Sequence, residues 1–318
     1  MRRKNVSNPV LAQLVRGELV ESIYTGRLVM LDPTGKIDYS LGDITQLVYP
    51  RSAVKSVQAA VSLEFGAKLK AETAAVAAAS HSGSEAHLGY VRAILAEAQL
   101  SEADLQTPAD YPIGVTEQRS WIAAGKEKLP IAMNCSGKHA AWLSACVHSD
   151  LDPKTYLDPS NKLQQRIIGL FSELAGEQVR ISSVDGCGGP LHALSLTGLA
   201  KLIQHAVTAP VGTELNQIVS AVMAYPEAAS GEGRDIAKLM QAIPGSFIKD
   251  GAEGVEVLAL KDGRTAAFKF DSGNFLVRHL VSARVFQLWG INNAASDELL
   301  TKPVLGGGKP VGKYHATF

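Results

Sequence analysis

The stretch YPRSAVKSVQ, residues 49–58, places a serine and a lysine three positions apart, directly after a proline. Pro50 favours the first turn of a helix, because its φ angle is fixed and its missing N–H is not needed there. Valines spaced at helical intervals continue the pattern beyond it. We therefore expect a helix that begins at this turn and carries Ser52 and Lys55 on one face.

A serine hydroxyl attacks a substrate only when a base lies within hydrogen-bond reach, and a neutral lysine one turn away can be that base. The start of a helix also offers backbone N–H groups that can stabilise an oxyanion. The pattern is not specific, since Ser246–Lys249 repeats it after a Pro-Gly turn. That second segment predicts a strand, in which the two side chains face opposite sides. The alternative for Ser52 is a helix-capping serine beside a solvated lysine.

Composition limits the kind of partner. The 318 residues can bury a large core, and we expect one domain, 1–318, with two lobes around a cleft as an option. Lys plus Arg and Asp plus Glu number 31 each, so the zero net charge favours a small-molecule substrate over nucleic acid or a membrane. The basic N-terminus leads into no apolar run, and the three cysteines suggest no disulfide framework. We expect a cytoplasmic protein.

The order of the elements predicts an α+β fold. Alternating residues in 10–40 predict hairpins, and strands return over 245–270. Helices occupy most of the chain between them, although 105–130 shows no clear period. The last long helix should span 278–288, and the glycine-rich residues 300–318 look like a loosely held tail. We therefore expect an antiparallel sheet built from both chain ends, with helices packed on it.

Several loops carry reactive side chains. Cys135 and Lys138 are three residues apart at the start of a predicted helix, and a predicted strand over 179–184 ends near Cys187. Two cysteines alone are a weak zinc signal, and the alternative is a pair of inert, half-buried thiols. The segment 80–84 is either a pocket wall or a set of helix caps. Arg234, with its neighbouring glutamate, is expected to hold a turn.

Together these segments resemble the asparaginase II family, the rhizobial-type or class 3 L-asparaginases, whose fold is like that of penicillin-binding proteins and serine β-lactamases. Any one of the motifs is ordinary, but the set in this order is specific. The segments that carry the resemblance are 51–55, 79–82, 134–139, 185–187, 230–234 and 249–254.

The resemblance implies hydrolysis of L-asparagine to L-aspartate and ammonia by a homodimer. By position, Ser52 is the nucleophile with Lys55 as its base, and Ser80 with Lys249 forms a second Ser-Lys pair. The family also binds zinc, which implies Cys135, Lys138 and Cys187 as ligands here. Positions lining the site are Arg51, His81, His139 and Asp185.

Desolvation and nearby cations both favour a neutral lysine. We therefore expect a neutral Lys55 that accepts the Ser52 proton, followed by hydrolysis of an aspartyl ester on the serine. Two other readings stay open. One is a glutaminase or β-lactamase-like acyl-transfer enzyme, and the other is a non-catalytic metal- or amino-acid-binding protein. The two Ser-Lys pairs argue against the second, because a binding protein needs no lysine beside a serine.

Overall fold

The structure, a computed structural model, describes residues 8–318, and for Ala295 the backbone alone. Most of the basic N-terminal segment, residues 1–7, lies outside this range. In chain order the strands are β1 Val10–Arg16, β2 Leu19–Leu31, β3 Ile37–Leu41, β4 Leu47–Val48, β5 Ser182–Val184, β6 Pro190–His192, β7 Leu194–Ser195, β8 Ser246–Gly251, β9 Val255–Leu260, β10 Thr265–Phe270, β11 Thr301–Gly306 and β12 Lys309–Ala316.

The helices come mainly from the middle of the chain. They are α1 Lys55–Glu64, α2 Ala71–Ala77, α3 Glu85–Glu97, α4 Val115–Ala123, α5 Ser136–His148, α6 Lys162–Ala175, α7 Leu196–Val207, α8 Glu214–Ala224, α9 Pro226–Ala229, α10 Asp235–Ala242, α11 Arg278–Leu288 and α12 Ala294–Asp297. Within the described residues, no helix has the length and apolar character needed to cross a bilayer.

Eight of the described strands form one antiparallel sheet, in the order β11-β12-β1-β2-β10-β9-β8, with β3 also paired to β2. The long strand β2 connects the two halves of this sheet. Its first part, residues 19–25, pairs with β1, and residues 26–31 lie between β10 and β3. The apolar run 28–31 is fully buried, as expected for a central strand. The predicted α+β sheet drawn from both chain ends is confirmed.

Helices cover this sheet and build the core. α7 packs against β2, β9 and β10. It does so because Leu199, Leu202, Ile203 and Ala206 recur at helical spacing and are all buried. α1 in turn packs against α5, α6 and α8. The helix that follows the predicted Ser-Lys motif is therefore buried on several sides, and its first turn is held firmly in place.

One prediction about local structure was wrong, and one segment for which the sequence predicted no element contains a helix. Residues 300–318 are not a loose tail, because β12 pairs with β1 along Ala12↔Ala316 to Arg16↔Gly312. The glycines that suggested a loosely held tail form a two-residue hairpin turn, in which Gly307 and Gly308 have φ angles of 57° and 81°. That turn type needs positive φ at both positions, which glycine supplies. The aperiodic segment 105–130 likewise contains α4.

Candidate active site

The turn at Pro50 begins a 3₁₀ helix, Arg51–Val54, that runs directly into α1. Side chains three residues apart eclipse each other in a 3₁₀ helix, so Ser52 and Lys55 share a face as predicted. The Lys55 N–H also donates to the Ser52 carbonyl. Arg51 has a φ angle of 54°, a left-handed conformation that is costly for a residue other than glycine. Backbone strain of this kind is typical of functional sites.

Two lysine amines meet at the hydroxyl of Ser80. Lys55, whose side chain is almost completely buried, lies with Nζ 3.3 Å from Ser80 Oγ and donates to the Ala79 carbonyl at 2.6 Å. The Nζ atom of Lys249 lies 3.0 Å from the same hydroxyl. Within residues 8–318, the Ser52 hydroxyl makes no hydrogen bond to Lys55. The structure therefore brings both serines and both lysines together, with Lys55 in contact with Ser80.

A carboxylate neutralises part of this positive charge. Lys249 Nζ donates to Asp250 Oδ1 at 2.5 Å, while Asp250 Oδ2 lies 3.3 Å from Arg234 and 3.5 Å from Arg278. Burial opposes ionisation of Asp250, but the three cations hold its pKa well below the usual range. Burial lowers the pKa of Lys249 to about 8, with Asp250 opposing that shift and Lys55 adding to it.

Three residues of this cluster were missed from the sequence. Arg234 was expected only to hold a turn, but its Nη1 donates to the Ser80 carbonyl at 2.5 Å and so fixes the loop that carries the hydroxyl. Asp250 directly follows Lys249, and the resemblance motifs include both 230–234 and 249–254. These two segments were the signal in the sequence that could have identified Arg234 and Asp250. No signal in the sequence pointed to Arg278, which lies at the start of α11.

A pocket of about 260 Å³ opens onto this cluster. Its lining includes Ser52, Ser80, Arg234, Asp250, Phe275 and Arg278. The end of β8 passes directly against the turn before Ser52. A Cβ atom on Gly251 would stand 2.4 Å from the Pro50 carbonyl oxygen. Only glycine allows this close approach, which brings the strand bearing Lys249 beside the helix bearing Ser52.

The predicted zinc ligands also lie together. Cys135 occupies the N-cap position of α5, and its sulfur lies 3.4 Å from Asn134 Oδ1. Lys138 is in the first turn of the helix, and its Nζ lies 3.3 Å from the sulfur of Cys187. The hydrogen bond from Cys187, with the charges of Lys55 and Lys138, lowers the pKa of Cys135 well below its usual value, although burial opposes this. The same hydrogen bond and burial raise the pKa of Cys187. All three predicted ligands are buried.

This donor set fits zinc in part. The Lys138 amine contacts the Cys187 sulfur, the pKa of the Cys135 thiol is lowered, and thiolate is a preferred zinc ligand. The neighbouring thiols raise the pKa of Lys138 against the effect of burial, so this lysine must lose a proton before it can bind a metal. Across residues 8–318, no group of three or more His, Cys, Asp and Glu side chains is arranged to hold a metal ion.

The remaining predicted residues differ in their placement. Arg51 Nη2 lies 2.8 Å from Asp185 Oδ1, an ion pair that ties the Ser52 turn to the loop carrying Cys187. Burial opposes the charge of Asp185, but Arg51 lowers its pKa. This pair therefore connects the Ser-Lys cluster with the thiol cluster.

His81 and His139 are fully buried and lie behind the pocket surface. His81 Nε2 is 2.8 Å from Ser136 Oγ, and His139 Nδ1 is 2.8 Å from the Tyr156 hydroxyl. Burial lowers the pKa of both imidazoles well below the usual value, which keeps them neutral. In this arrangement they support the loops around the site and have no surface open to a ligand.

Comparison with known proteins gives one clear match. Among solved structures, the chain is similar to a β-lactamase from Mycobacterium bovis, with 12% identity over 84% of this chain and 95% of that one and a TM-score of 0.45. It is also similar to Mglu in its native form, with 14% identity over 84% of this chain and 64% of that one, at a TM-score of 0.45. No curated protein matches it. A sequence model described as L-asparaginase II matches residues 12–316, which confirms the resemblance, and the chain belongs to that family.

Proposed function

We propose that the protein hydrolyses the side-chain amide of L-asparagine to L-aspartate and ammonia, through an acyl-enzyme on Ser52. Membership of the L-asparaginase II family supports amide hydrolysis. The observation that carries the mechanism is the meeting of two buried lysine amines at the Ser80 hydroxyl, in a pocket that Ser52 also lines. A hydroxyl with a desolvated amine one turn away is the arrangement that serine activation requires.

In the first step, the Ser52 oxygen attacks the amide carbon while Lys55 accepts the hydroxyl proton. The Lys55 amine contacts Ser80 in the free protein, and catalytic hydrogen bonds often become short only when substrate is bound. The N–H of Ser52 lies in the first turn of its helix, where backbone donors have no intrahelical acceptor. It is therefore suited to stabilise the developing oxyanion.

In the second step, the tetrahedral intermediate expels ammonia and leaves an aspartyl ester on Ser52. The departing nitrogen needs a proton, and the Ser80 hydroxyl can transfer one because it touches both Lys55 and Lys249. The pKa of Lys249 is about 8, so this amine can gain or lose a proton near neutral pH. Water then attacks the ester, with the same groups moving the proton in reverse.

We further propose that Cys135, Lys138 and Cys187 hold a zinc ion when the metal is present. The Lys55 amine is one of the nearby charges that lower the pKa of Cys135, so a bound zinc ion would supply a fixed positive charge near the proposed base. A homodimer is part of the same proposal, and sedimentation equilibrium of the purified protein tests it.

The nucleophile is tested with L-aspartate β-hydroxamate as a slow substrate, acid quenching and intact-mass measurement, followed by peptide mapping. We expect an aspartyl adduct on Ser52, no adduct and no ammonia in Ser52→Ala, and an adduct that turns over slowly in Ser80→Ala. Ser246→Ala is the matched control, because it removes the serine of the second Ser-x-x-Lys segment. An adduct that maps to Ser80, or persists in Ser52→Ala, contradicts the assignment.

The alternatives are separated in one assay that compares L-asparagine, L-glutamine and a chromogenic β-lactam. The pocket is slightly smaller than the roughly 300 Å³ at which most ligand sites begin, which favours an amino-acid-sized substrate. We expect the highest turnover with L-asparagine. Binding of asparagine without ammonia release in the wild type would instead indicate the non-catalytic binding protein.

A further inference from the structure

Arg278 is a partly buried cation that, within the described residues, makes only long hydrogen bonds and ion pairs. Its side chain is 14% exposed and lines the pocket shared by the two serines. Its donors reach the carbonyls of Gly251 and Phe275 only at 3.4 Å, and its ion pairs with Asp250 and Glu256 are 3.5 and 3.7 Å long. Within residues 8–318, its Nη2 group donates no hydrogen bond. Such a guanidinium retains the planar fork that binds a carboxylate through two parallel hydrogen bonds.

Arg234, the other arginine of the pocket, is engaged differently. It donates to the Ser80 carbonyl at 2.5 Å and to Asp250 at 3.3 Å, so it holds the protein loops around the lysines. Glu253 also lines the pocket, but within residues 8–318 the carboxylates that pair with Arg278 are those of Asp250 and Glu256. Asp250 faces three cations, and Glu256, the second acid near Arg278, has a pKa that burial raises. Of the two arginines, Arg278 is the one free to accept a ligand carboxylate.

The position of Arg278 suits one end of a small amino acid. Gly251 accepts from Arg278 through its carbonyl and presses against the Pro50 carbonyl at the turn before Ser52. Gly251 therefore lies between Arg278 and the turn that carries Ser52. The Phe275 ring, 69% exposed at the pocket, lies 5.7 Å from the Arg278 guanidinium and helps to orient it.

We propose that Arg278 binds the α-carboxylate of the substrate, and so makes the pocket select an α-amino acid over a simple amide. This inference rests on the proposed hydrolysis at Ser52. It assigns Arg278 to specificity and gives it no part in proton transfer. The chemistry is a charge-assisted, two-pronged contact that an amide without a carboxylate cannot make.

The test uses three amides that differ in one group each. L-Asparagine has both α-substituents, succinamate lacks the amine, and β-alaninamide lacks the carboxylate. Loss of a charge-assisted contact should lower kcat/KM of Arg278→Gln about 10- to 150-fold for L-asparagine, mainly through KM. Succinamate should lose a similar factor. For β-alaninamide, kcat/KM should change by less than about threefold. Arg278→Lys should recover part of the loss, because it keeps the charge without the fork.

Arg284→Gln is the matched control, since Arg284 lies on the same helix and donates to the Phe318 carbonyl, away from the pocket. We expect it to change none of the three values, and thermal unfolding checks that each variant is folded. An equal loss on all three amides, or no loss on L-asparagine, overturns the proposal.

Calorimetric titration of the same amides separates this inference from the proposed function. If the wild type releases no ammonia but binds L-asparagine, and Arg278→Gln weakens that binding while leaving β-alaninamide unaffected, hydrolysis fails and the carboxylate site stands. If ammonia is released and Arg278→Gln leaves L-asparagine binding and kcat/KM unchanged, the carboxylate site fails alone. A wild type that neither binds nor hydrolyses L-asparagine overturns both.

Discussion

Replacement of Asp250 by asparagine tests the charge balance under the pocket. The substitution keeps the shape of the side chain and removes the only carboxylate in hydrogen-bond contact with Lys249, within residues 8–318. Three cations, Lys249, Arg234 and Arg278, then lose their shared partner. Removal of one partner from a buried ion pair costs about 3–5 kcal/mol, because the remaining charge stays desolvated. We expect Asp250→Asn to lower the free energy of unfolding by this amount at pH 7.

The sign of the pH dependence follows from the lowered pKa of Asp250. Its carboxylate ionises more easily in the folded state than at the value of about 3.9 in unfolded chains. Its contribution is therefore fully present above that value and is lost only as pH falls below it. The difference in unfolding free energy between wild type and Asp250→Asn should therefore not shrink from pH 7 to pH 5, because Asp250 stays ionised in the folded wild type over this range.

Urea denaturation followed by tryptophan fluorescence measures this difference, with the slope m compared between variants. Asp262→Asn is the control, because its ion pair with Arg264 is also short, at 2.7 Å, but the two side chains are 47% and 31% exposed. Such a surface pair contributes about 1 kcal/mol or less. The buried charge cluster does not stabilise the fold as argued if Asp250→Asn loses no more free energy of unfolding than Asp262→Asn. The same conclusion follows if the difference between wild type and Asp250→Asn disappears between pH 7 and pH 5.

Three further predictions concern the same region. Burial lowers the pKa of Lys249 from the ordinary 10.5 to about 8, so protonation of this amine destabilises the folded state below pH 8. The free energy of unfolding of the wild type, measured in urea relative to Lys249→Met, should therefore rise by about 3 kcal/mol between pH 8 and 10.5. Gly251→Ala places a methyl group 2.4 Å from a backbone carbonyl and should cost about 1–3 kcal/mol and most of the activity, while Gly89→Ala, which meets nothing within 4 Å, should do neither. Cys135→Ser should lose zinc by elemental analysis, and Cys146→Ser, which alters a core thiol away from the other two, should retain it.

Local sequence signals were sufficient for much of the fold. Polar and apolar alternation over residues 10–40 predicted hairpins, and β2 and β3 form one of them. The helix predicted at 278–288 has the observed bounds, Arg278–Leu288. The C-terminal hairpin was not predicted, because three consecutive glycines are typical both of a loosely held tail and of a tight turn. The choice between them depends on β1, which lies almost 300 residues earlier and supplies the pairing edge for β12.

The site shows the same division between local and distant information. Helical spacing predicted that Ser52 and Lys55 share one face, and the 3₁₀ turn in the structure gives them this arrangement. Spacing along one helix does not predict which residues of other segments pack against it. The contact of the Lys55 amine with Ser80, which lies on a different loop, could therefore not be predicted in this way. The ion pairs of Asp250 with Arg234 and Arg278 likewise join β8 to the starts of two helices. Only packing in three dimensions determines these contacts.

The hydrogen bonds of Ser80 support its proposed place between the two amines. A hydroxyl has one proton to donate and two lone pairs to accept. If both lysines stayed charged, each would donate to Ser80, and the hydroxyl proton would need a third partner. Within residues 8–318, Ser80 Oγ contacts no acceptor other than the two amines. The arrangement is therefore satisfied when one amine is neutral and accepts the Ser80 proton while the other donates. A hydroxyl in that position can transfer a proton in either direction, as both acylation and deacylation require.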